Sequence, residues 1–592
     1  MLGSVVGHAT RVLASVGLIV CSLLAPAGAH ADSADSADSV TASESLDAAA
    51  VQQAAGLPTI SAKITCAALV QNGTTGPKGA GQPGVPDFSQ LEDFPTRITS
   101  ANVVGASGQT PEYCDVLGYI QPQIHFELKL PTTTWQGRYL QLGCGGFCGS
   151  INPTSFPACD QQLGGDFALA ATDDGHTGGN AFDGLWAGDD EQLRIDFDFR
   201  AVHGLAVVSK AIITAFYGQA PARAYFSGCS DGGREGLMEA QRYPDDFIGI
   251  IAGAPANFWA FLPTEATAWV VRANLDASGN LIIDAPHAAV LHSAVMAACD
   301  DLDGLHDNQI DDPRACQFDP GTIECPGGGS GASCLSEAQV KAARTIYDFP
   351  HTPSGEALYP GPGEEHGSEL GWTLPIPWLS PPPGAPMLAF SASDNYLRFM
   401  ALPLGQTGLN AENFAFTRQD FDRVAREGLK GTAIDPDLTR FKARGGKLIL
   451  YHGWADPLIP PRGTVDYYAA LQQTMGGRAQ VREFARLFMF PAMFHCGGGG
   501  PTPNTSDVLL DLVNWVEHDQ APDQLIGVQT DASGQVVRTR PVFPYPLVAR
   551  YTGTGSTDDA ANFKSAPPPR TFVDAIDWAG DDLMHRRGDD GE

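Results

Sequence analysis

The stretch Gly228-Cys229-Ser230-Asp231-Gly232-Gly233 decides how this chain is read. Its G-x-S-x-G spacing is that of a sharp strand-to-helix turn that presents a serine hydroxyl as a nucleophile, and its glycines supply the freedom such a turn needs. The strand-like Ala224-Tyr225-Phe226 leads into it. Alone the motif is weak in a chain with 67 glycines. It gains weight from His495-Cys496, which joins a cysteine to a base just as Cys229-Ser230 joins a cysteine to a hydroxyl. If Cys229 and Cys496 are bonded, their Cα atoms stand roughly 4.4–6.8 Å apart. Ser230 and His495 are then stapled side by side.

Between these two lies Tyr451-His452-Gly453-Trp454-Ala455-Asp456-Pro457, after the strand-like run Lys447-Leu448-Ile449-Leu450. An Asp just past a buried strand is placed to orient a histidine. The order Ser230, Asp456, His495 is that of α/β-hydrolases, not of chymotrypsin-like or subtilisin-like enzymes. It predicts Ser230 as nucleophile, His495 as general base and Asp456 as the acid that sets the imidazole tautomer. A developing oxyanion needs donors aimed at it. One is expected from the backbone N–H of Asp231. A second is expected from the loop at Gly145 and Gly146, because glycine lets backbone approach a substrate closely.

Strand and helix signals alternate from 57 to 256. Ile124, Phe126, Leu128 and Leu130 alternate with polar neighbours, as in a half-buried strand, while Val202 to Tyr217 has helical spacing and stops at Gly218. Tyr139 to Leu142, Phe167 to Thr172 and Ile248 to Ala252 are further short apolar runs. The pattern is an α/β fold, with a mainly parallel sheet flanked by helices. From 257 to 441 it changes: four cysteines, the glycines 327 to 329 and the proline-rich segment from Pro375 to Pro386 fall here. This stretch separates the nucleophile strand from the acid strand, where an α/β-hydrolase core accepts a large inserted lid domain. The core resumes over 442–555, and 556–592 reads as a polar, acidic, mobile tail.

His8 and Arg11, the apolar stretch from Val12 to Leu24 and Ala29-His30-Ala31 read as a secretory signal peptide over 1–31. The Ala-Asp-Ser repeat of 32–56 reads as a flexible leader. Cys21 follows Val20 inside the apolar stretch, so it does not read as a lipid-attachment site. The stretch is short for a membrane span, and no later one reads as long and apolar enough to cross a bilayer. The protein is expected to be secreted or periplasmic, where disulfides are the default. Of twelve cysteines, Cys21 falls in the signal, leaving an odd number. Cys299–Cys316 and Cys325–Cys334 read as local pairs and Cys66–Cys114 as a longer one. The pairing among Cys144, Cys148 and Cys159 stays open. A net charge of −32 repels nucleic acid and anionic membranes and argues against both as partners.

The segment from Asp300 to Gln309 (DDLDGLHDNQ) reads either as a calcium loop or as a solvated acidic turn. Carboxylates of Asp300, Asp303 and Asp307 with main-chain oxygens of Leu305 and Gln309 would supply hard oxygen ligands, and Gly304 permits the sharp turn. The spacing is not that of an EF-hand. Asn72-Gly73-Thr74 and Asn504-Thr505-Ser506 match the glycosylation pattern. Neither H-E-x-x-H nor a cluster with zinc-like spacing is evident, which disfavours metal-dependent hydrolysis.

With these residues in hand, the chain resembles the tannase/feruloyl esterase family. The resemblance rests on Ala201-Val202-His203, Phe216-Tyr217-Gly218, the segment from Phe226 to Arg234, Gly249 to Pro255, Tyr451 to Pro457 and Pro491 to Gly498. It spans about 66–525 and is weakest in the lid. It implies that Cys229 and Cys496 form a disulfide. It also implies structural calcium held by Asp300, Asp303, Leu305, Asp307 and Gln309, and no organic cofactor. It implies hydrolysis of small-molecule esters of aromatic acids: galloyl esters, hydroxycinnamoyl esters, or, in one branch, mono(2-hydroxyethyl) terephthalate. Ala492 departs from a frequent glycine, and Phe494 replaces a frequent small residue and is expected to narrow or reshape the acyl pocket. Arg398 is a candidate contact for a substrate carboxylate or phenol, against the simpler reading of a structural lid arginine. The leading expectation is a serine carboxylesterase working through an acyl-enzyme. The competing ones are a terephthalate monoester hydrolase and a catalytically silent binding protein on the same fold. A peptidase lacks specific support. Oligomeric state is not legible.

Overall fold

The apolar runs of the sequence become two kinds of strand in the computed structural model, which describes residues 57–70, 86–108, 110–151 and 165–584. Where apolar and polar residues alternate, in β2 (Tyr113–Ile120) and β3 (Ile124–Pro131), one face is buried and the pairing is antiparallel. β1 (Thr96–Val104) extends that edge. Where the run is mostly apolar without alternation, in β5 (Phe167–Thr172), β7 (Gly249–Gly253) and β9 (Ala485–Phe490), every residue is buried, Thr172 and Arg486 included. That is the environment of a parallel strand covered on both faces. With β4 (Arg138–Leu142), β6 (Arg223–Cys229) and β8 (Lys447–Gly453) they form one nine-stranded sheet, ordered β1-β2-β3-β5-β4-β6-β7-β8-β9. The sheet is antiparallel as far as the β3–β5 pair and parallel from β5 to β9. This is the α/β-hydrolase core; the antiparallel edge is the part the alternation did not distinguish.

The helix Ala201–Tyr217 buries Val202, Leu205, Val208, Ile212 and Phe216, and Gly218 caps it at φ 76°. It is continuous with the turns before it. The resulting run Glu191–Tyr217 is, by length and composition, long and apolar enough to cross a membrane. This corrects the expectation that no later stretch qualifies. Asp196, Asp198 and Arg200 interrupt the apolar pattern in the sequence. In the fold Asp196 and Arg200 pair at 2.8 Å, and the apolar face is part of the core.

Residues 254–446 add no strand to the sheet and carry the helices Ala285–Cys299, Glu337–Ile346, Leu388–Phe399 and Arg418–Gly428. β7 and β8 are sheet neighbours, so this insertion leaves and re-enters at adjacent strands and leaves the pairing intact. After β9, β10 (Thr502–Pro503), β11 (Leu525–Thr530) and β12 (Val536–Val542) form a small antiparallel sheet, and β13 (Val548–Tyr551) pairs with β14 (Phe563–Ala566).

Residues 556–584 therefore differ from the mobile tail expected. Besides β14, Trp578 is 3% exposed and packs edge-on against Phe258 and Phe261, with ring centroids at 5.6 and 5.3 Å. Asp574 binds Arg314 at 2.9 Å, and the Ile576 N–H donates to Asp466 at 2.8 Å. Phe563, Ile576 and Trp578 are too sparse to show a helical or strand period. Single anchors in separate sockets hold this segment. The signal peptide, the leader, Asn72, Cys159 and the acidic end at 585–592 lie outside the described residues.

Candidate active site

Ser230 stands between β6 and the helix Asp231–Arg242 at φ 66°, ψ −122°. A non-glycine residue adopts such backbone only where its surroundings hold it there. Its N–H donates to the Gly253 carbonyl on β7 at 3.0 Å, and its own carbonyl accepts the N–H groups of Gly233 and Ala256, each at 3.0 Å. The turn is tight: a Cβ on Gly228 would lie 2.4 Å from the Gly232 carbonyl group. Glycine at 228 is a steric requirement.

Cys229 and Cys496 are bonded, with Cα atoms 6.0 Å apart, across 267 residues of sequence. The backbone next to one half-cystine is Ser230, and next to the other is His495. His495 Nδ1 lies 2.8 Å from Asp456 Oδ2. Asp456 is buried just past the end of β8, and its Oδ1 accepts the N–H groups of Leu458 and Ile459 at 2.8 and 3.1 Å. Burial by itself would raise this carboxyl's pKa. The charge on His495 and the hydrogen bonds from His452 and His495 outweigh it and hold Asp456 well below the usual carboxylate range. Sequence reasoning gave His452 no role. The structure puts its Nε2 3.0 Å from the same Oδ2. The available signal was a histidine on the acid strand, four residues before the acid.

The three predicted oxyanion donors share one property. Among the described residues, the N–H groups of Asp231, Gly145 and Gly146 have no hydrogen-bond acceptor. Those around them are engaged: Phe147 N–H donates to Ala181 O at 2.7 Å, Cys148 N–H to Gly145 O at 3.1 Å, and Gly232 N–H to Cys144 O at 2.9 Å. Glu235, one turn along the helix Asp231–Arg242, accepts the Cys144 N–H at 3.2 Å. The loop is thus tied to the helix that Ser230 opens. A Cβ on Gly145 would face open space, whereas one on Gly146 (φ 64°) would lie 2.2 Å from the Ala181 carbonyl oxygen.

Cys144 and Cys148 are bonded to each other, closing the pairing left open above, and Cys66–Cys114, Cys299–Cys316 and Cys325–Cys334 pair as expected. Asp174, Asp231 and Glu235 gather around the Cys144–Cys148 sulfurs, with these donor atoms all within 4.8 Å of one another. The sequence showed no cluster with zinc-like spacing because Asp174 comes from a segment far from Asp231 and Glu235, which share one helix. The Cys-x-x-x-Cys itself closes a disulfide. Burial, then the charge of Asp231, pushes Glu235 up to about 7, against the opposing charge of Arg234. Arg234 holds Asp231 with two bonds of 2.6 and 2.9 Å.

In the acidic loop, the Asp300 carboxylate accepts the N–H groups of Asp307, Asn308 and Gln309 at 3.3, 3.1 and 3.0 Å, folding the loop over itself. Asp303 accepts the Leu305 N–H at 2.9 Å. Asp307 Oδ2 binds Arg540 at 2.5 Å, while its Oδ1 is buried with no hydrogen-bond partner among the described residues. Asp300, Asp303 and Asp307 do not bring three carboxylate oxygens within 4.8 Å of one another. Asp311, absent from the predicted set, is pushed up to about 8 by burial and by the charge of Asp303. Arg398 binds Asp394 one turn back at 2.5 Å and is 46% exposed, which matches a structural arginine. Phe494 lines a cavity of about 230 Å³ with Gln309, Leu370, Trp454 and Ala492, and Ser230 does not line it.

The family model described as tannase and feruloyl esterase matches residues 101–566. A mono(2-hydroxyethyl) terephthalate hydrolase from Piscinibacter sakaiensis is 34% identical over 537 residues, covering 79% of this chain and 87% of that protein. A probable feruloyl esterase from Arthroderma benhamiae is 32% identical, covering 74% and 81%. The crystal structure of feruloyl esterase B from Aspergillus oryzae matches with a TM-score of 0.70 at 27% identity, covering 80% of this chain and 97% of that one. Tannin acyl hydrolase from Aspergillus niger shares the fold, with a TM-score of 0.64 at 22% identity over 85% of this chain and 95% of that one. With the family model matching from β1 to β14, the chain belongs to the tannase and feruloyl esterase family and is a carboxylic ester hydrolase.

Proposed function

We propose that this protein hydrolyses small-molecule esters of aromatic acids through Ser230, His495 and Asp456. One observation carries the reading: the disulfide beside both Ser230 and His495, with the His495 imidazole on a buried, ionised Asp456. Ser230 Oγ attacks the ester carbonyl carbon while His495 takes its proton. The N–H groups of Asp231 and of Gly145 or Gly146 receive the oxyanion. Collapse of the intermediate breaks the bond to the alkoxy oxygen, which leaves as the alcohol with the proton from His495. Water, deprotonated by His495, then attacks the acyl carbon; the bond to Ser230 Oγ breaks, His495 returns the proton to Ser230, and the acid is released. Asp456 stays ionised throughout and stabilises the imidazolium.

The aromatic acyl group is supported by the names of the relatives, which include feruloyl esterases. A terephthalate monoester is the second reading, favoured by the 34% identity to a hydrolase of that class. An exported location is supported by the five disulfides among the described residues. Structural calcium, held by Asp300, Asp303 and Asp307 with main-chain oxygens of Leu305 and Gln309, is supported by the partnerless Asp307 oxygen and by the crowding of Asp303 against Asp311. Such a set of hard oxygens is what calcium takes. Segment 257–441 would act as a lid over the site.

The test is a panel of methyl gallate, methyl ferulate, methyl p-coumarate and mono(2-hydroxyethyl) terephthalate, run on the protein and on Ser230→Ala, with a fluorophosphonate probe in parallel. The expected result is turnover and labelling that both vanish in Ser230→Ala while the fold persists. Turnover by the variant would refute the assignment, and a protein that neither turns over nor labels would be a silent binding protein.

A further inference from the structure

Asp456 takes two imidazoles on one oxygen, and only one of them belongs to the reaction above. His452, in β8, has its Nε2 3.0 Å from Asp456 Oδ2 and 3.1 Å from the Ile459 carbonyl oxygen. Both partners are acceptors only, so Nε2 carries the hydrogen. In the neutral ring Nδ1 is then an acceptor, and it faces the Thr464 hydroxyl at 2.8 Å on the helix Pro461–Thr474. One tautomer satisfies every contact. His452, Asp456 and Thr464 are each 1% exposed or less, so bulk water does not replace these bonds.

We propose that His452 is a positioning residue: locked by Thr464, it donates Nε2–H to Asp456 Oδ2 and fixes that carboxylate for His495. The proposal rests on the reading of Ser230, His495 and Asp456 as the reacting set. Leu458 and Ile459 hold Asp456 by Oδ1, and His452 pins the opposite oxygen. The carboxylate plane, and with it the direction offered to His495 Nδ1, is then fixed from both ends.

The same bond has an electrostatic consequence. An oxygen that already accepts one hydrogen is a weaker partner for an imidazolium. Without His452, Asp456 would favour protonated His495, and the acid limb of activity would move to higher pH. Tyr359 and Glu364 are the other titratable groups facing Asp456. Burial pushes both up, and Asp456 itself adds to the rise. Each therefore keeps its proton and brings no charge to the pair.

The experiment compares wild type with His452→Gln, whose side-chain amide can still donate, and with His452→Phe, which keeps a ring and loses the donor. The Phe variant is expected to lower kcat roughly ten- to hundredfold, the size of a lost hydrogen bond to a charged group, with KM nearly unchanged. Its acid limb should shift upward by about half to one pH unit. The Gln variant should recover most of the rate and return the limb. A folded Phe variant with wild-type rate and limb would overturn the proposal. So would a Gln variant as slow as Phe with an unmoved limb, since that pattern reports packing. Nitrogen-15 NMR of the resting wild-type protein reads the tautomer without any need for turnover. A protonated Nε2 and bare Nδ1 at His452 support the proposal, and the reverse tautomer refutes it. Retained turnover in Ser230→Ala would sink the triad instead, a separate result from either.

Discussion

Replacing Cys229 and Cys496 together by alanine asks whether the covalent tie, or the sheet around it, holds Ser230 against His495. The bond spans 267 residues. Chain entropy alone gives a cross-link of that span a stabilisation of about 5–6 kcal/mol, an upper value because unfolded chains retain structure. The Cys299–Cys316 bond spans 17 residues, for which the same relation gives about 3 kcal/mol. The two differ more sharply in chemistry. Only the first touches the residues beside Ser230 and His495, and a misplacement of about 1 Å there costs on the order of a hundredfold in rate. The assay pairs guanidinium unfolding with kcat on an aromatic methyl ester, for both double-alanine variants. The Cys229/Cys496 variant should lose stability and kcat together. The Cys299/Cys316 variant should lose stability alone. Equal kcat losses in the two, or a folded Cys229/Cys496 variant with wild-type kcat, would remove the staple from the mechanism.

Other consequences are open to direct measurement. Gly146→Ala places a Cβ 2.2 Å from the Ala181 carbonyl at a φ of 64°; kcat should fall at least tenfold, in line with about 10²–10³ for losing an oxyanion donor, and an unchanged kcat would take this loop out of the oxyanion site. Chelation by EGTA should lower the unfolding temperature by a few degrees, with calcium restoring it through binding to the folded state; identical melts, with no calcium found by elemental analysis, would discard the ion. Glu265 is fully buried, neither carboxyl oxygen has a hydrogen-bond partner among the described residues, and burial pushes its pKa well above the ordinary value. A carboxyl raised in the folded state stabilises fully below its unfolded pKa, and that contribution is lost as pH rises toward the folded value. Glu265→Gln should therefore gain on wild type in guanidinium midpoint from pH 5 to pH 8; parallel midpoints would show that Glu265 does not titrate in this way.

The parts legible in the sequence are those whose signal is local. The elbow is a run of adjacent residues whose glycines answer to contacts within the turn, and β3 and the helix Ala201–Tyr217 announce themselves by period. The order of Ser230, Asp456 and His495 is equally plain, because the fold fixes which strand ends carry each role. What escaped depends on side chains meeting across distance. Asp174 reaches the sulfurs of Cys144 and Cys148 from the far end of β5, and Trp578 finds its socket among Phe258 and Phe261 with no periodicity to mark it. His452 sits between these cases. Its spacing from Asp456 was visible, yet i and i+4 near a strand end says nothing of whether two side chains converge. Only the turn after Gly453, drawn back by the Leu458 and Ile459 amides on Asp456 Oδ1, brings the carboxylate under the imidazole. The turn at Ser230 was thus readable from its own neighbours, whereas Asp456 is met by His452, whose partner Thr464 arrives only when the helix Pro461–Thr474 folds back against β8.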